Sequence, residues 1–149
     1  MPSRHRSRER ALQMIYQWEL SEASTDKVVE NYWKELSKET PGDSTDDPFA
    51  NRVLRGVAEQ IAKIDGLIQA HADNWRLERM SAVDRCILRM AVYELMEDTS
   101  LAPVIINEAL ELGGRFSGGE SVPFLNGVLD AVRKSLDEKQ LATIDSRPT

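Results

Sequence analysis

One cysteine, Cys86, stands alone in 149 residues, so the chain forms no internal disulfide and offers no thiolate pair to a metal. Histidine is almost as scarce. His5 and His71 are the only two, and neither lies at helical spacing from another pair of metal ligands, so no metal centre is expected. No apolar run approaches the roughly 20 residues that a membrane-spanning helix needs. The amino end is basic, but Gln13, Gln17 and Glu19 interrupt the apolar stretch that a secretory signal requires. No segment alternates with period two over a useful length, which argues against a sheet. "GGRFSGG" at residues 113–119 matches neither of the glycine-rich loops that cradle phosphates between a strand and a helix. These absences exclude a disulfide scaffold, a membrane protein and a mononucleotide-binding enzyme. A cytoplasmic chain without a cofactor is the expectation.

What is present is charge and helical period. The length suits one domain with a sizeable core, and the composition is that of a globular protein. The formal charge is −6, yet Arg4, Arg6, Arg8 and Arg10 are opposed in the first ten residues only by Glu9. Four positive charges against one negative give that segment +3, which leaves −9 for the rest.

Apolar residues then recur at three- and four-residue spacing. Ala11, Leu12, Met14, Ile15 and Trp18 form one stripe. Ser24, Thr25 and Asp26 cap a second helix bearing Val28, Val29, Tyr32, Trp33 and Leu36. "SKETPGDSTDD" reads as a loop. Asp47 and Pro48 supply an N-cap and a first-turn proline for a stripe through Phe49, Val53, Val57, Ile61, Ile64 and Ile68. Asp65-Gly66 is the place where that stripe is expected to break. Ser81 begins another helix, with Asp84 in its first turn favoured by the helix dipole. "CILRMAVYELM" is apolar on most sides and belongs at the centre of the fold. Pro103 opens a helix weakened near its end by Gly113-Gly114. After "SGGES" a last helix carries Phe124, Leu125, Val128, Leu129, Val132 and Leu136. The fold class is all-α.

Few residues invite chemistry. Glu108 and Glu111 share a helix face, but an acid–base pair also needs a cleft, and a solvated surface explains them. Cys86, among apolar neighbours, reads as a core side chain. The arginines do not fall on one helical face. They suit a short, partly unfolded arm of about residues 1–8 that orders on a polyanion, or a frayed terminus with no role. No apolar stripe begins before Ala11, so loss of residues 1–7 should leave the fold intact. Phe124 and Asn126 stand near the start of the last helix. An aromatic there can stack an unpaired base while free backbone N–H groups favour a phosphate. Packing in the core would also explain Phe124.

"RERALQMIYQWEL", "VDRCILRMAVYEL", "VIINEALELGGRFSG" and "FLNGVLD" occur in an order and spacing that resemble the NusB family of bacterial transcription antitermination factors. The resemblance covers about residues 6–132. It implies a compact helical bundle of two small subdomains within a single domain over residues 1–149, ending in a polar tail of about residues 137–149. It also implies no catalysis. Family members bind the boxA element of ribosomal RNA transcripts together with NusE, a small-subunit ribosomal protein, within the RNA polymerase antitermination complex, and support rRNA maturation. By motif, Arg4, Arg6, Arg8, Arg10 and Phe124 fall where the family meets RNA, with Glu120 in the adjacent loop, and Asn126 at the helix start is counted with them as an RNA-binding candidate. Tyr16 and Asp84 match positions that face NusE. Some relatives are homodimers and others monomers. Pro123 departs from the basic residue frequent before the aromatic, which removes a phosphate partner and a backbone N–H. Two other readings accompany this one: the NusB-like accessory domain of an rRNA methyltransferase, and a helical adaptor with no RNA role. The chain ends in "DEKQLATIDSRPT" without an α/β domain for a methyl donor, so the free-standing factor is expected.

Overall fold

Helical sequence accounts for nearly the whole structure. The computed structural model of the chain describes residues 3–39, 46–72 and 76–145, with side chains through Leu141. Among the described residues are seven α-helices and no strand: α1 (Arg4–Ser21), α2 (Thr25–Glu39), α3 (Pro48–Glu59), α4 (Ile61–His71), α5 (Ala82–Glu97), α6 (Ala102–Phe116) and α7 (Ser121–Asp145). Short 3-10 turns at Leu77–Arg79 and Thr99–Leu101 precede α5 and α6. No helix among these residues is long and apolar enough to cross a membrane. The chain divides into two units, Met1–Ile61 and Ala62–Thr149, in keeping with two subdomains.

In the first unit α1 packs on α3 and α2. The amino end is not an unfolded arm. Ser3 caps α1, its Oγ accepting from the Arg6 N–H at 3.1 Å, and the helix runs on from Arg4. The buried Ser7 hydroxyl donates to Asp47 Oδ2 at 2.7 Å, and Arg10 Nη1 donates to the same oxygen at 3.3 Å. Asp47 also caps α3 as expected, its Oδ1 accepting from the Ala50 N–H. One buried carboxylate thus fastens the start of α1 to the start of α3. Trimming through Ser7 would remove the first turn of α1 and strip this carboxylate of a hydroxyl partner, so a loss of stability is expected where the sequence pattern predicts none.

The same unit buries Trp33, whose Nε1 donates to Asn51 Oδ1 at 3.0 Å, with Tyr32 set edge-on against it. Burial raises the Tyr32 phenol above its ordinary pKa, and its hydroxyl donates to Gln13 at 2.6 Å. Ser24 caps α2 through the Lys27 N–H. Most of the expected loop after α2, residues 40–45, lies outside the described residues.

The break in the third stripe comes at Gln60, not at Asp65-Gly66. Asp65 lies inside α4, where its carboxylate takes a two-pronged contact from Arg89 on α5, both distances 2.9 Å. In the second unit α5 is central, as its apolar girth requires: Cys86, Ile87, Leu88, Met90, Val92 and Leu95 are all buried. It packs on α6 and α7, which pack on each other. Gly113 is what lets α6 approach α7: a Cβ there would stand 2.5 Å from Leu125 Cδ1. α7 continues to Asp145 through much of the expected tail, with Asp137 paired to Arg133.

Candidate nucleic-acid interface

The residues after α6 must reverse direction before α7, and Gly118 makes the turn with a φ of 106°, which favours glycine. That loop brings Glu120, Ser121 and Phe124 to one wall of a cavity of about 340 Å³. Arg79, Met80 and Ser81 supply another part of its lining, together with Asp84. Phe124 is half-buried and Glu120 exposed.

Both walls are held by neighbouring residues of α5. Asp84, in its first turn, accepts hydroxyl hydrogen bonds from Ser117 at 2.5 Å and Ser121 at 3.0 Å, which pins the loop bearing Glu120. Arg85 Nη1 donates to the carbonyls of Leu77 and Met80 at 2.9 and 3.2 Å, which pins the turn bearing Arg79. Ser81 caps α5 as the sequence predicts, accepting from the Asp84 N–H. Asp84 is only 9% exposed. Its two oxygens are engaged by the Ser117 and Ser121 hydroxyls, so it braces the loop from within the cavity lining.

The start of α7 corrects a second expectation. The Ser121 and Val122 N–H groups point to the carbonyls of Gly118 and Gly119, and Pro123 has none. The first turn therefore does not leave a full set of donors for an anion. Asn126 is exposed on α7 and takes no part in lining the cavity.

In the first unit the arginines divide. Arg8 and Arg10 are buried, at 6% and 4% exposure, while Arg4 and Arg6 are exposed. The Arg4 guanidinium lies 4.1 Å from the Phe49 ring centroid, with those of Arg52 and Arg8 at 5.5 and 5.6 Å. Three cations around one ring make a positive patch that includes Arg52, which no local sequence pattern marks. Tyr16 is 39% exposed, and Leu20, one turn on along α1, is 64% exposed. Phe116 is 48% exposed beneath the Arg115 guanidinium at 4.8 Å, and no local sequence pattern marks it either.

The sequence profile described as "NusB family" matches residues 5–134. The chain belongs to the NusB family. It is 48% identical over 139 residues to the transcription antitermination protein NusB of Solibacter usitatus, covering 93% of each chain. The corresponding protein of Koribacter versatilis is 45% identical over 142 residues, again with 93% of each covered. Among solved structures, T. maritima NusB superposes with a TM-score of 0.74 at 31% identity, over 89% of this chain and 92% of that one. The NusB family is one of transcription antitermination proteins and not of enzymes, and its fold is the all-α one described above.

Proposed function

We propose that this chain binds single-stranded boxA-type RNA of ribosomal leader transcripts jointly with NusE, in the cytoplasm, and thereby supports antitermination and rRNA maturation. The observation that carries the reading is the cavity shared by Phe124 and Glu120. A half-buried ring can offer one face to a base while a nearby carboxylate accepts from a base amino group. The exposed Arg4 and Arg6 add positive charge for the backbone, and Arg52 joins Arg4 at Phe49. Tyr16 with Leu20 gives an apolar strip suited to a protein partner, and the NusE contact is assigned there. Arg8 and Arg10 act from inside by fixing the helix that presents these groups.

The test is Phe124→Ala. Stacking predicts a loss of about 1–3 kcal/mol in affinity for boxA-type RNA, read by titration of a labelled RNA. Thermal denaturation of the same variant separates stacking from packing. A large fall in melting temperature with RNA affinity unchanged overturns the reading.

A further inference from the structure

The cavity at Phe124 lacks an evident partner for a phosphate. Its acidic members, Asp84 and Glu120, repel a polyanion, the first turn of α7 offers few N–H groups, and Pro123 brings neither charge nor donor. We propose that Arg79 is the phosphate contact of this cavity, a proposal that rests on the RNA-binding reading above.

Four observations carry it. Arg79 is exposed and lines the same cavity as Phe124. Among the described residues its guanidinium has no hydrogen-bond or ion-pair partner, whereas Arg76 on the same turn lies 4.0 Å from Glu78. The turn that presents it is fixed at several points: Gln69 Oε1 accepts from the Leu77 N–H at 3.1 Å, the Arg79 N–H donates to the Arg76 carbonyl at 2.9 Å, and Arg85 holds the Leu77 and Met80 carbonyls. Met80, next in the chain, is buried and anchors the turn's end. A guanidinium matches two phosphate oxygens at once, and a fixed backbone leaves only its side chain to be ordered on binding. A base against Phe124 and its phosphate on Arg79 would hold one nucleotide at both ends. Arg85 is then a positioning residue, and Asp84 plays the same part for the opposite wall.

Phosphate contacts position the chain and do not read sequence, so the signature is distinct from that of Phe124. The experiment is fluorescence anisotropy of the full chain with labelled boxA-type RNA and with a scrambled RNA, each across a range of salt. Arg79→Gln should bind both RNAs about tenfold more weakly, as expected for one lost charge-assisted contact. Its log–log salt slope should be shallower by about 0.7, with melting temperature unchanged. Arg79→Lys should keep the slope and regain part of the affinity. Arg76→Gln should match the parent. An Arg79→Gln slope equal to the parent's overturns this proposal while leaving the Phe124 reading intact. Failure of the parent to bind either RNA overturns both.

Discussion

Within the Met1–Ile61 unit, four arginines lie close together in sequence, yet two are buried and one of these is tied to Asp47. Within the Ala62–Thr149 unit, Arg79 stands on a short turn, has no ion-pair partner among the described residues, and lines a cavity with an aromatic. The denser run of charge thus presents less of itself to solvent than its count suggests. A buried guanidinium must be paired, and pairing takes it away from any external phosphate. A solitary exposed arginine has no such claim on it. Charge density along a sequence is therefore a poor measure of charge available to a ligand.

The contrast breaks most readily at Asp47. Asp47→Ala would leave Arg10 buried without its carboxylate and Ser7 without its acceptor, and would remove the cap of α3. A loss of about 3–5 kcal/mol in urea unfolding is expected, as for a buried pair deprived of one partner. A loss under about 1 kcal/mol would mean that the arginine run is less committed to the fold than its geometry indicates.

The second unit is tested at Asp84. Asp84→Lys replaces a buried acceptor of two hydroxyls with a cation, and a loss of about 2–4 kcal/mol is expected. On the RNA-binding function proposed above, RNA affinity should fall with it, since the loop bearing Glu120 loses its brace. An unaltered melting temperature would return Asp84 to the surface role that the family resemblance implied.

The smallest effects sharpen the comparison within α6. Gly113→Ala forces a methyl group against the fully buried Leu125, so about 1 kcal/mol should be lost net of helix propensity. Gly114→Ala meets only Val122 at 3.8 Å and should gain about 0.5–1 kcal/mol. Equal signs in the two melting curves would show that α6 and α7 are less closely set than the distances require.

The helices were legible because burial imposes its period on them, and the caps at Ser24, Asp47 and Ser81 were legible because each is a local pattern. The start of α1 is hidden by its run of charge, although Ser3, three residues before Arg6, carries the cap signal. The break at Gln60 has no glycine or proline to mark it, while Asp65-Gly66 has the marks of a break but is held in helix by Arg89. Phe124 is legible as an aromatic near a helix start, whereas Glu120 follows only from the motif resemblance. Arg79 could not come from local pattern, because it meets them only through the packing of α5 with α7 and the loops that α5 holds.

That α5 holds both walls also bears on the energetics of capture. If the site takes RNA as proposed, its already ordered loops lose little conformational entropy on filling, and the cost of ordering falls mainly on the strand. Variation in affinity among RNA sequences should then appear chiefly as differences in residence time, with similar rates of arrival. Two adjacent side chains, Asp84 and Arg85, would set how long a transcript stays bound without touching it.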